Sequence, residues 1–211
     1  MIGIDEAGRG PLIGSLFIVG VSTDKELGCE IKDSKLLTQK KREEIFEKYK
    51  DKVDWVYFEI KPEEIDSKNL NELEAFYIAK IINKLAKENE TVIIDLPEKK
   101  EKFLERLNKY LKVKVNLVLE HKADLNYRVV SLASIFAKVL REKHVKELKE
   151  KLNYNFGSGY PSDPKVRELI EKLRDDKELR KKFMPFIRKK WKSVSFLNSK
   201  ITDFLPTIKK N

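Results

Sequence analysis

Carboxylates follow short apolar runs at three places in this chain: Ile2-Gly3-Ile4-Asp5-Glu6, Val92-Ile93-Ile94-Asp95 and Leu119-Glu120-His121-Lys122-Ala123-Asp124. Acids that close apolar strands lie at the carboxyl edge of a sheet, where open α/β sheets take their ligands. Gathered there they would repel, and some would take up protons unless a counter-charge intervened. A hard divalent cation, Mg²⁺ or Mn²⁺, removes that conflict, because it prefers oxygen ligands and leaves positions open for phosphate and water. The chain has 35 acids, so any one of them alone reads as a strand-end cap or a surface charge. Three in the same position after apolar strands point to a metal site. Asp5 and Glu6 are neighbours, which a straight strand sends to opposite faces. A bend permitted by Gly8 and Gly10 would let both face one site.

Other chemistries find little support. Two histidines, His121 and His144, cannot build a His-rich zinc site. The single cysteine, Cys29, excludes a disulfide framework and has no evident histidine partner. The glycines at 8, 10 and 14 fit neither a P-loop nor a G-x-G-x-x-G fingerprint.

The elements that must position the acids can be read from periodicity. Met1–Asp5 and Ile13–Val21 read as strands with the Gly8–Gly14 region bending between them, and Val53–Ile60 and Thr91–Asp95 as two more. Val113–Leu119 alternates as a fifth strand. Gln39–Tyr49, behind a Thr38 N-cap, and Asn71–Lys87, with apolar Leu73, Phe76, Tyr77, Ile81 and Leu85, have helical patterns. Pro97 is expected to open a helix bearing Leu104, Leu107 and Leu111. A long helix spans about Tyr127 to Leu152. Asp163-Pro164 then supplies an N-cap and first-turn proline for a helix bearing Val166, Leu169, Ile170 and Leu173. A basic, helical stretch to Trp191 and a tail over Ser193–Asn211 complete the chain. The order is that of an α/β layered domain whose first connections are antiparallel.

With 211 residues the chain can bury a core unaided. No apolar run reaches the ~18–20 residues of a membrane span and no signal peptide precedes Asp5, so a soluble, cytoplasmic, monomeric protein is expected. The net charge of +10 is uneven. Residues 1–140 hold 25 Lys/Arg and 25 Asp/Glu, whereas residues 141–211 hold 20 and 10. A neutral body with a basic final third suits a phosphate-rich partner, although Lys/Glu enrichment also marks thermophile surfaces.

The segment Gly3-Ile4-Asp5-Glu6-Ala7-Gly8-Arg9-Gly10-Pro11 resembles the opening signature of type 2 ribonucleases H, the ribonuclease HII family, in its archaeal form. The likeness continues in order through Lys32-Asp33-Ser34-Lys35-Leu36-Leu37-Thr38, Asn69-Leu70-Asn71-Glu72-Leu73-Glu74 and Glu120-His121-Lys122-Ala123-Asp124. Ala133-Ser134-Ile135-Phe136-Ala137-Lys138-Val139 and Gly157-Ser158-Gly159-Tyr160-Pro161-Ser162-Asp163-Pro164 complete it. The resemblance implies a ribonuclease H-like fold, a five-stranded mixed sheet flanked by helices, with a helical basic C-terminal extension. It divides the chain into a catalytic core over 1–140, a helical part over 141–196 and a tail over 197–211.

It further implies four active-site, metal-holding carboxylates: Asp5, Glu6, Asp95 and Asp124. Leu96 stands where the family often has serine. The implied reaction is cleavage of RNA in RNA–DNA hybrids and at single ribonucleotides in duplex DNA, by two Mg²⁺ or Mn²⁺ ions ~3.5–4 Å apart. The products would be a 3′-hydroxyl and a 5′-phosphate. By the same resemblance, the Gly8-Arg9-Gly10 turn reads the 2′-hydroxyl and Tyr160 stacks on the next, deoxy, sugar. Lys35, Lys122 and Lys138 touch phosphates or orient acids, Ser134 assists as a hydroxyl donor, and the basic helices from Arg174 to Lys192 grip the duplex. In the tail, Ile201, Phe204 and Leu205 resemble the apolar anchor of a degenerate sliding-clamp-binding peptide, unless the tail packs on its own domain. Two rival readings remain: an endonuclease acting on DNA alone, which has no need to read a 2′-hydroxyl, and a non-enzymatic hybrid-binding protein, for which the intact acids would have no purpose.

Overall fold

The computed structural model describes residues 1–31 and 36–198. Lys35 and the tail residues Ile201, Phe204 and Leu205 lie outside the described residues. Five strands form one mixed sheet in the order β3-β2-β1-β4-β5: β1 Ile2–Ala7, β2 Leu16–Ser22, β3 Asp54–Ile60, β4 Thr91–Asp95 and β5 Asn116–Glu120. β1, β2 and β3 run antiparallel, while β4 and β5 run parallel to β1. The carboxyl ends of β1, β4 and β5 therefore share one edge, which is where the three acidic segments end.

Helices cover both faces. On one side α3 (Leu70–Leu85) and α4 (Lys100–Asn108) pack on Ile2, Ile4, Ile18, Val92 and Ile94. On the other, α1 (Gln39–Tyr49) and α6 (Arg128–Leu152) pack on Val19, Val21 and Ile93. α1 begins where Thr38 accepts from the Lys41 N–H, and α3 where Asn69 accepts from Asn71 and Glu72, both by side-chain capping. α6 lies close on β1: a Cβ on Gly3 would sit 2.5 Å from the Val129 carbonyl carbon.

A third apolar cluster lies beyond the sheet edge. It joins Leu12 and Ile13 to Leu148 and Leu152 of α6, to α7 (Pro164–Asp175) and α8 (Lys177–Phe183), and to Ile187 and Val194. Asp163 caps α7 by accepting from the Lys165 N–H at 2.9 Å, with Pro164 in the first turn, as the sequence leads one to expect. Val194 is fully buried, so the chain stays packed past Ser193, where a tail was expected.

Other differences have local causes. α4 starts at Lys100, not Pro97, because Leu96 sinks into the core and Glu98 accepts from Asn71 and Arg106, which holds 96–99 as a turn. β5 starts at Asn116, opposite Thr91, so Val113 and Val115 pack on the core ahead of the ladder. Two short helices, α2 (Pro62–Ser67) and α5 (Ala123–Asn126), span too few residues for periodicity to reveal them.

Replacing Gly3 by Ala drives a methyl into α6 backbone, which cannot rotate away as a side chain would. We expect a loss of about 1–3 kcal/mol, seen as a fall of about 2–4 °C in thermal midpoint per kcal/mol.

Candidate active site

Asp5, Asp95 and Asp124 meet at the shared carboxyl edge. Each offers a carboxylate oxygen, and these lie within 4.8 Å of one another. Asp5 projects from central β1 on the α6 side, where Ser134 of α6 hydrogen-bonds its carboxylate and the Glu6 N–H donates to it at 2.7 Å. Asp95 ends β4 and accepts the Ala123 N–H at 3.2 Å, fixing the start of the short helix that carries Asp124. Lys122 caps that helix in a left-handed conformation, φ 60°, which turns the chain sharply off β5.

Glu6 does not join these three. β1 stays paired with β2 through Glu6 and Ala7, and the bend falls at Gly8, φ 96°. The expected break between Asp5 and Glu6 is therefore absent, because it would forfeit ladder hydrogen bonds. Glu6 points to the opposite side of the strand, beside Arg9 and Glu74, and lines the groove at the sheet edge. Glu120 likewise turns away, accepting from the Tyr127 hydroxyl at 2.9 Å.

Burial is the largest influence on these acids. It pushes Asp5 up to about 7, opposed by the Ser134 hydrogen bond and reinforced by the neighbouring charges of Asp95 and Asp124. Glu6 is raised well above the usual carboxylate range, first by burial and then by Asp5 and Glu74. Three acid oxygens held close, with the central one resisting ionisation, form a donor set suited to a hard cation.

Beside the acids opens a groove of about 910 Å³ lined by Glu6, Gly8, Arg9, Gly10, Lys138, Arg141 and Tyr160, among others. The Tyr160 ring lies 3.5 Å from where a Gly10 Cβ would be, so this tyrosine and the glycine turn form one wall. Tyr160 is 40% exposed and does not serve as a cover for the core. It is held there because Gly157 (φ 74°) and Gly159 (φ 84°) turn the loop, and the Gly159 carbonyl accepts from Leu12 and Ile13. The Arg9 side chain is held by donating to Glu74 at 2.9 Å and to Asn71. Ser134 is buried against Asp5, Lys138 lines the groove, and Lys122 is exposed at the rim of α5.

Three residues of this region were not singled out from sequence. Glu74 is fully buried under Arg9, and burial raises it to about 7. Arg141 is 6% exposed and donates to the carbonyls of Ile13 and Ser158, tying the glycine turn to the Tyr160 loop. Arg188, expected among the duplex-gripping cations, is fully buried. Burial is the main cause that lowers both guanidinium groups, Arg141 to about 10 and Arg188 to about 9. Only the matched Asn69–Glu74 segment hinted at Glu74 and the basic run at 188–190 at Arg188; nothing in the sequence marked Arg141.

A sheet of this order, with aspartates converging at the carboxyl edge of its central strands, defines a protein of the ribonuclease H-like α/β class. Residues 2–194 match the family model for ribonuclease HII. The chain is 42% identical over 207 residues to a ribonuclease HII of Nanoarchaeum equitans, covering 96% of this chain and 98% of that one. Among solved structures it is similar to ribonuclease H2 from Pyrococcus horikoshii (TM-score 0.80, 36% identity, 93% and 95% of the two chains). It is also similar to the ribonuclease HII of a PCNA complex from Archaeoglobus fulgidus (TM-score 0.80, 38% identity, 96% and 99%). The chain belongs to the ribonuclease HII family and is a ribonuclease H endonuclease.

The raised Asp5 pKa has a consequence for stability. Its ionised form is disfavoured in the fold, so the penalty is absent below an unfolded value near 4, grows as pH rises towards 7, and is full above it. Asp5→Asn removes it. In chelator at pH 8 the variant should melt several degrees above the parent, and the gain should fade towards pH 4; thermal melts across that range check it.

Proposed function

We propose that the protein cuts the RNA strand of RNA–DNA hybrids, and cuts at single ribonucleotides embedded in duplex DNA, leaving 3′-hydroxyl and 5′-phosphate ends. The observation that carries this reading is the meeting of Asp5, Asp95 and Asp124 oxygens within 4.8 Å beside a basic groove. These three, with Glu6 at the groove's edge, would hold two Mg²⁺ or Mn²⁺ ions. Such ions supply a water acidified towards hydroxide and charge stabilisation for the leaving 3′-oxygen. Asp5, central and hydrogen-bonded by Ser134, would hold its carboxylate toward them most rigidly, and Asp124, on a helix of four residues, would be the most adjustable of the set.

The rest of the site binds and orients. Gly8-Arg9-Gly10 presents bare backbone to a ribose, where the 2′-hydroxyl distinguishes RNA from DNA. Tyr160, beside Gly10, is placed to stack on the following deoxyribose, where an additional hydroxyl would clash. Lys138 and Arg141, with Arg42, Lys146 and Lys149 further along the groove, line it and would meet the phosphates. Lys122 and Lys35 would add to them. Exposed Lys181, Lys182 and Lys190 extend the basic surface, so binding should weaken steeply with salt. We assign 1–140 to the catalytic core, 141–196 to the duplex-gripping part, and 197–211, with Ile201, Phe204 and Leu205, to docking on a sliding clamp, since the A. fulgidus relative was solved with PCNA. No helix among the described residues is long and apolar enough to cross a membrane, and we take the protein to act as a cytoplasmic monomer.

A duplex with one embedded ribonucleotide should be cut with Mg²⁺ or Mn²⁺ and left intact with chelator. Equal cutting of an all-DNA duplex would instead favour a DNA endonuclease. Asp5→Asn should abolish turnover, since a neutral amide binds these ions poorly; residual cleavage near the parent rate would overturn the assignment. Tyr160→Ala should lower cleavage of the single-ribonucleotide duplex more than that of a uniform hybrid, and an equal loss on both would count against the stacking role.

A further inference from the structure

The segment after α8 returns to the glycine turn. Ile187 bridges Ile13 in antiparallel fashion, the Gly14 N–H donates to the Phe186 carbonyl at 2.8 Å, and the Arg188 N–H to the Leu12 carbonyl at 2.9 Å. This pairing aims the fully buried Arg188 side chain at the back of the turn. Its guanidinium donates to the carbonyls of Gly8 (2.6 Å), Arg9 (2.8 Å) and Gly14 (3.0 Å). Trp191 lies over the guanidinium, 5.3 Å from ring centroid to Cζ, and its indole N–H donates to the Gly10 carbonyl at 3.3 Å. Four carbonyls are thus drawn to one side.

A trans peptide is planar, with its N–H opposite its C=O. Pulling the Gly8 and Arg9 carbonyls back therefore sends the Arg9 and Gly10 N–H groups forward, and no hydrogen bond among the described residues takes either of them. We propose that Arg188 and Trp191 are positioning residues for ribose recognition: by holding the turn's carbonyls from behind, they make it a pair of N–H donors that engages the 2′-oxygen as an acceptor. This rests on the reading that Gly8-Arg9-Gly10 contacts the 2′-hydroxyl. Lysine cannot replace Arg188, because a point cation does not fork to three carbonyls.

Arg188→Lys and Trp191→Phe test it, the second keeping the ring while removing the indole donor. In Arg188→Lys, kcat on a single-ribonucleotide duplex should fall about 100-fold, the scale of a ~1 Å misplacement. KM and calorimetric Mn²⁺ affinity should stay within about threefold, since phosphates and metal are held elsewhere. Trp191→Phe should show a smaller loss of the same kind. In ¹⁵N-labelled protein the Arg9 and Gly10 amide resonances should move in both variants while that of Ala123, at the acids, stays in place. Wild-type protein that leaves the duplex uncut overturns the reading of function. Unmoved Arg9 and Gly10 amides, or a kcat loss that tracks lost Mn²⁺ affinity, overturn this inference whatever the wild-type activity. Should Arg188→Lys fail to fold, Trp191→Phe decides by the same readings.

Discussion

Repulsion among buried carboxylates is the constraint around which this structure is arranged. Two like charges about 4 Å apart cost roughly 4 kcal/mol even at an effective dielectric of 20, and three aspartates share the edge here. The Ser134 hydrogen bond and the Glu6 amide offset part of that cost at Asp5, yet its pKa still stands near 7. Only a stiff frame holds such groups together. β1 is flanked by β2 and β4 and pressed by α6 so closely that Gly3 has no room for a methyl. Asp5 and Asp95 cannot relax apart without breaking the sheet.

Positive charge is placed with equal care but on other principles. Arg141 and Arg188 are buried, and both donate to backbone carbonyls instead of pairing with carboxylates. Partial charges on carbonyls take all three nitrogens of Arg188 and the Nη2 of Arg141 without adding a carboxylate partner for either. Arg9 is different: it meets Glu74, a buried acid on the far side of the strand from Asp5. That pairing holds the guanidinium of Arg9 on α3.

How much of this could be read from sequence depends on whether the deciding force is local. Asp5 and Asp95 were legible because each closes an apolar run, so strand direction brings them to one edge, and Asp124 because it shortly follows a third such run, although the turn at Lys122 is also needed to place it. The caps at Thr38 and Asp163 are local hydrogen bonds, and the helices behind them start where those residues predict, whereas α3 starts at Leu70, one residue ahead of the expected Asn71, behind an Asn69 cap that was not anticipated. Where Glu6 lies relative to the three aspartates was not legible, because adjacent glycines permit a bend without requiring one, and the ladder to β2 decides where it falls. Arg188 looked like one more cation in a basic run. Composition cannot show that the run folds back to pair with residues 12–14, a contact spanning more than 170 positions.

That long-range pairing changes how the basic final third should be understood. Its charge excess suggests a surface that grips phosphates, and its exposed lysines fit that role. The third apolar cluster, however, ties the same segment to Leu12 and Ile13, immediately after the glycine turn. A peptide turn with three glycines between residues 8 and 14 has little intrinsic preference for one conformation. Its shape must be imposed from outside, and the chain does so with one forked cation, one indole and a two-residue stretch of antiparallel pairing. On the proposed reading the C-terminal part would act on both components of substrate recognition, supplying charge for the phosphates and a rigid backing for the backbone that meets the sugar.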